Sequence, residues 1–204
     1  MPNYISQFNN LAINQKGFTD SDIKLWLPID KKIECDCEKA LSVIKKSLKT
    51  TGIPPKKMVG KCFAMITGAS NALLQEQIKH TVTIGNIMVD GKPYFNTSPE
   101  TIEKDMLAGF EPNEILHSHA WITLEDGTII DITILSSLRK KENKKPLKLN
   151  QAIYNSKTTY QNKIQYIPYH LGPEYIFRTS TPPDDFYLNL QFKWFKSLDT
   201  VLNS

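Results

Sequence analysis

Four residues of this chain are of types that can attack a carbonyl or carry a proton, at spacings that could bring them together. The stretch HSHAWITLEDGTIID, residues 117 to 131, begins with His117 and His119 and ends on Asp131. Upstream, Cys62 follows Gly60 and is the second residue of KCFAMITGASNALLQEQIK, whose apolar residues recur at helical spacing. A cysteine opening a helix meets unpaired N–H groups and the positive end of the helix dipole. Both favour a thiolate, and a neighbouring ammonium helps. The same amides can face a developing oxyanion. An aspartate that accepts an imidazole N–H fixes the ring's tautomer and supports its protonated form. The chemistry in view is attack by sulfur on a carbonyl, with a histidine moving the proton. The plainer role of Cys62 is first residue of an apolar stripe.

Whether His119 and Asp131 can meet depends on the turn between them. A two-residue turn at Asp126-Gly127 would mix polar and apolar side chains on both faces of the hairpin. A three-residue loop, Glu125-Asp126-Gly127 with glycine left-handed, pairs Leu124 with Thr128, Ile122 with Ile130 and Ala120 with Ile132. One face then carries Ala120, Ile122, Leu124, Ile130 and Ile132 and suits a core. The other carries His119, Trp121, Thr123, Ile129, Asp131 and Thr133. Register follows burial, so the three-residue loop is the expectation. Trp121 then sits opposite Asp131, and His119 is the diagonal neighbour at about 7–8 Å along the backbone, within side-chain reach. His117 lies one step further off. Trp121 and His117 flank the pair and are expected to contact substrate.

The elements around this hairpin can be read coarsely. Asp36 is a helix N-cap, followed by Cys37, Leu41, Ile44 and Leu48 at helical spacing and closed by Gly52. Pro54-Pro55 forces an extended or turning chain. The helix begun by Cys62 is expected to reach about Lys79. TVTIGNIMVDGKPYF reads as strand, Asp90-Gly91 turn and return strand. Ser98 with proline behind it starts a short helix. KIQYIPYHLGPEYIF supplies one or two more strands. A C-terminal helix is expected from about Asp184, with Leu188, Phe192, Phe195, Leu198 and Leu202 on one face. Helices, then hairpin-linked strands, then a closing helix predict an α+β domain on an antiparallel sheet. One domain spans 1–204, with its core at about 37–135, a basic loop at 139–148 and C-terminal strands and helix at 160–204.

Hydrophobic residues at 40% and charged residues at 23% suit a globular protein rather than a disordered or membrane-embedded one. No run approaches the roughly 18 apolar residues of a membrane helix. No secretory signal is visible, and three cysteines form no even disulfide framework, so a reducing, cytoplasmic setting is expected. Cys35 and Cys37 lack the partners of a zinc site, His80 and His170 each stand alone, and no calcium-loop pattern occurs. Neither metal nor cofactor is expected. Residues 1–135 carry a net charge of −2 and residues 136–204 a net +6, much of it in RKKENKKPLK from Arg139 to Lys148. That run reads as a solvated loop. No aromatic residue interleaves it to stack bases, so nucleic acid is not the expected partner.

The cysteine opening a helix, then His119-Ala120-Trp121, then Asp126-Gly127, then Ile130-Asp131-Ile132-Thr133, resembles the transglutaminase-like branch of the papain-like superfamily. The resemblance covers about residues 55–135. It implies a helix packed on an antiparallel sheet with the nucleophile at the helix N-terminus. It further implies Cys62 as nucleophile, His119 as general base and acid, and Asp131 as the orienting carboxylate. The glycine-rich or aromatic segment that hugs the cysteine in many members is reduced here to Gly60 and Phe63. No side-chain oxyanion donor matches residue by residue; Trp26 has only a suitable upstream position. The function implied is thiol-dependent acyl transfer on a protein, peptide or small amide through an acyl-enzyme, by hydrolysis or transamidation. Arylamine N-acetyltransferases use the same residue order, and Gly60-Lys61-Cys62-Phe63 is similar to their cysteine segment, but no glycine-rich phosphate loop supports a coenzyme A site. The third alternative is an inactive papain-like copy that binds through its basic run.

Overall fold

The computed structural model describes residues 3–16, 25–109, 116–157, 164–180 and 200–201. Helix α1, Tyr4–Asn14, starts where the Asn3 side chain accepts from the Ser6 amide. Helix α2, Cys37–Thr51, has both ends written in its sequence. Asp36 accepts from the Lys39 amide, and Gly52 takes the left-handed φ of 64°. A 3₁₀ turn at Pro55–Lys57 leads to helix α3, Cys62–Gln75. That helix stops short of the expected Lys79. Gln77 turns left-handed (φ 55°), and the Ile78 amide bonds back to the Leu73 carbonyl, closing the last turn.

Strand β1, His80–Val89, turns at Asp90-Gly91, both with positive φ, into strand β2, Lys92–Pro93. The return strand is only two residues long because Pro93 has no N–H to extend the ladder. Helix α4, Pro99–Ala108, is capped by Ser98 as expected. Strands β3, His119–Leu124, and β4, Ile129–Asp131, form the hairpin and lead into helix α5, Ile134–Lys141. Helix α6, Leu149–Ala152, strand β5, Tyr154–Asn155, strand β6, Ile164–Leu171, and helix α7, Glu174–Ser180, complete the described elements.

The six strands make one antiparallel sheet. β1 pairs with β3 on one edge and β6 on the other, and β4 and β5 follow beyond β3. The sheet therefore extends past residues 37–135, with β6 lying along β1. Gly85 sits opposite His119. A methyl group there would collide with the Ile167 carbonyl oxygen and press on the Trp121 ring, so this crossing admits only glycine.

Both faces of β3 are buried. Ala120, Ile122, Leu124, Ile130 and Ile132 join α2 and α3 in the larger core. Trp121 and Ile129 join Ile87, Ile134, Tyr154, Ile164 and Tyr166 in a second one. Side-chain amides fasten α1 and its C-cap residue to the rest of the fold. Gln15 donates to the Leu171 carbonyl (2.6 Å) and accepts from the Leu171 N–H (2.7 Å). Asn9 makes the same pair of bonds with Ile29.

Two expectations change here. Residues 139–148 are not a loop throughout, since Arg139–Lys141 form the last turn of α5, where cations suit the carbonyl end of a helix. The segment after β6 is helical from Glu174 rather than a further strand, because Gly172 (φ 88°) and Pro173 end the ladder. Of the helix expected from about Asp184, Thr200 and Val201 are helical and the remainder lies outside the described residues. No helix among the described residues is long and apolar enough to cross a membrane.

Candidate active site

The hairpin has the three-residue-loop register. Ile122 pairs with Ile130, the Leu124 amide donates to the Thr128 carbonyl, and Gly127 takes a φ of 84°. His119 and Asp131 thereby face each other diagonally. The His119 Nε2–H donates to Asp131 Oδ2 at 2.7 Å, with both side chains buried.

Asp131 is held on every side. Oδ2 also accepts from the Tyr166 hydroxyl at 3.0 Å, and Oδ1 accepts from the amides of Thr133 (2.9 Å) and Ile134 (3.1 Å). Those amides open α5, so the carboxylate also meets the positive end of a helix. Burial alone would raise its pKa. The charge and hydrogen bond of His119 and the two amides outweigh burial and hold the carboxyl below its usual range.

His119 shows the complementary balance. Burial opposes its charge, but the Asp131 carboxylate, the Cys62 sulfur and their hydrogen bonds raise it above the ordinary imidazole range. Phe95 stacks on the ring at 4.9 Å and 16°, and Trp121 lies nearly parallel at 6.4 Å. Aromatic faces favour the protonated ring. Since Nε2 serves Asp131, Nδ1 is the nitrogen left to face the thiol. It is buried with no other partner among the described residues, which leaves it to hold the proton it exchanges with the thiol.

Cys62 is the first residue of α3 and is half-buried. No side chain caps this helix, so its first-turn amides remain available beside the sulfur. Phe63 packs edge-on against Tyr175 of α7 (5.7 Å). The Tyr175 hydroxyl donates to Asp105 (2.7 Å) and accepts from Ser118 (2.8 Å). This buried chain ties α4, α7 and the residue preceding His119 to the cysteine's neighbour.

The structure thus brings Cys62, His119 and Asp131 together. His117 lies exposed at the approach to β3. Trp121 is corrected: it is fully buried, donates its Nε1–H to the Tyr4 hydroxyl (2.9 Å), and packs against Tyr166, so it supports the site from behind instead of meeting substrate. Trp26 is likewise committed, donating Nε1–H to the Ala12 carbonyl at 3.1 Å. Tyr166 and Phe95 escaped the sequence reading. Tyr166 reaches Asp131 only because β6 lies along β1, and Phe95 reaches His119 only because the chain leaves the sheet at Pro93.

The other titratable groups behave differently. Burial pushes the Cys35 and Cys37 thiols up, and Cys37 accepts from the Asn155 amide. Among the described residues no group of three or more His, Cys, Asp or Glu side chains could hold a metal ion. Comparison with family models, with curated proteins and with solved structures finds no match to this chain.

Proposed function

We propose that the protein is a thiol-dependent acyl-transfer enzyme acting on an amide or ester carbonyl, of the transglutaminase-like kind. One observation carries this reading: a buried imidazole whose Nε2–H is given to a fully hydrogen-bonded carboxylate, with the thiol as its other neighbour. In this reading His119 Nδ1 already holds the Cys62 proton when sulfur attacks the carbonyl carbon. The uncapped amides of α3 receive the developing oxyanion. Protonated His119 then gives its proton to the departing amine or alcohol, leaving a thioester on Cys62. Water or an amine, deprotonated by His119, attacks the thioester and frees the thiol. Asp131 keeps the ring oriented throughout and supports its charge.

Alkylation by iodoacetamide near neutral pH, with adducts mapped by mass spectrometry, tests the reading. Cys62 should react first and Cys35 and Cys37 far more slowly, since burial raises both of those thiols. An acyl-type electrophile should label Cys62 and leave no adduct there in Cys62→Ala. Equal or lower reactivity at Cys62 would assign the cysteine to packing.

A further inference from the structure

The basic run that supplies much of the C-terminal charge excess borders a pocket. Lys56 and Val59 on one side and Ser136, Arg139, Lys140 and Lys144 on the other line a space of about 380 Å³. Four of these side chains are cationic, and no carboxylate lines the space. Lys144 is paired with Glu142 at the surface (2.7 Å), and Arg139 donates Nε–H to the Lys145 carbonyl. Among the described residues, Lys56, Arg139 and Lys140 have no carboxylate at ion-pair distance.

A second feature is independent of charge. Ser136 is 6% exposed, and its hydroxyl makes no hydrogen bond among the described residues. Buried hydroxyls are almost always partnered, so one left over on a residue that lines a cationic pocket is a spare donor beside it. Unpaired cations and a spare hydroxyl together match an oxyanion group.

The pocket's borders relate it to the thiol. Val59 precedes Cys62 by three residues, a reach of at most about 11 Å along the chain. Ser136 lies in the first turn of α5, whose opening amides hold Asp131. We infer that the pocket is a subsite for a phosphate or carboxylate group carried by the acyl substrate, whose carbonyl lies toward Cys62. This assignment rests on the thiol reading for its role, while the anion site itself stands on the pocket. A space of this size favours a discrete anionic group over a nucleic-acid backbone, and no aromatic side chain lines it to stack a base.

Calorimetric titration of the full chain with inorganic pyrophosphate, and separately with citrate, tests the subsite. One site per chain is expected, weakening with salt. Tighter pyrophosphate binding identifies phosphate as the group, and tighter citrate binding identifies carboxylate. Lys56→Gln with Arg139→Gln should weaken binding at least about tenfold, and Ser136→Ala about fivefold. Lys56→Gln alone, at an exposed position, serves if the double variant fails to fold, with Lys31→Gln as the unaffected control. Cys62→Ala should bind as the unaltered protein does, so the anion site is read apart from thiol reactivity. Absence of saturable binding, an affinity indifferent to Lys56 and Arg139, or duplex DNA binding that pyrophosphate does not displace would overturn the subsite.

Discussion

Two histidines open neighbouring strands of the same sheet, and each is only 1% exposed, yet the fold treats them oppositely. His80 at the start of β1 gives Nδ1–H to the Ile78 carbonyl (2.8 Å), and its Nε2 accepts from the Ser70 hydroxyl (2.7 Å). Burial pushes it down to about 4, and the single carbonyl bond does not offset this. His119 is equally dry, but a carboxylate and a thiol replace the carbonyl and hydroxyl, and its proton affinity rises. Depth does not decide whether a buried imidazole carries charge; the charge of its partner does. Neutral partners satisfy the ring's hydrogen bonds without retaining its proton. His80 is thereby a packing group, while His119 is suited to proton transfer.

The largest expected effect tests that distinction at the thiol. His119→Ala should slow alkylation of Cys62 by about 10²- to 10⁴-fold, the range for a positioned proton acceptor. His80→Gln should leave the rate within about twofold. His117→Ala should fall between them, weakening and not abolishing reactivity. Equal losses at His117 and His119 would contradict the register that pairs His119 with Asp131.

Acid unfolding offers the next largest effect. A histidine buried neutral binds its proton more readily once the chain unfolds. Its contribution is intact above about 6.5 and erodes as pH falls, the loss reaching about 3 kcal/mol by about pH 4. His170, pushed down to about 4 by burial and by the Arg178 charge, adds a loss of the same sign. His119 has the reverse dependence. Its raised folded pKa gives stability that is full below the ordinary imidazole value and is lost as pH rises through the folded one. Asp131 contributes above the ordinary carboxylate value and loses this as pH falls through its lowered folded one. Urea denaturation across pH should show His80→Gln flattening the acid limb and His119→Gln flattening the alkaline limb. A single shared limb would remove the contrast between the two rings.

Tyr166→Phe should produce the smallest change, about 1–2 kcal/mol in urea denaturation, because Asp131 keeps its other donors. The alkaline dependence from His119 should persist. Its disappearance would mean that Tyr166, and not the two α5 amides, governs the carboxylate.

The parts of this site that were legible in the sequence are those determined by local chemistry. Glycine at the left-handed loop position and two-residue alternation set the register that joins His119 to Asp131. Asp36, Gly52 and Ser98 mark helix ends through their own side chains or φ values. The meeting of Cys62 with that pair was not legible from spacing alone and came from the family resemblance. The remaining parts depend on pairing between distant segments. Tyr166 contacts Asp131 across 35 residues of sequence, and α1 covers the polar face of β3 through Tyr4, whose neighbours alone give no sign of it. Trp121 was misassigned for the same reason: hairpin alternation shows which side chains share a face, not what later packs upon it.

The Gln15 carboxamide offers Leu171 one donor and one acceptor in the arrangement a seventh strand would present. An outermost strand with bare backbone invites the edge of another molecule, and charge or cover is the usual guard. Here a lone glutamine tip takes both backbone groups of Leu171, so at that residue the β6 edge has no bond left to offer a further strand.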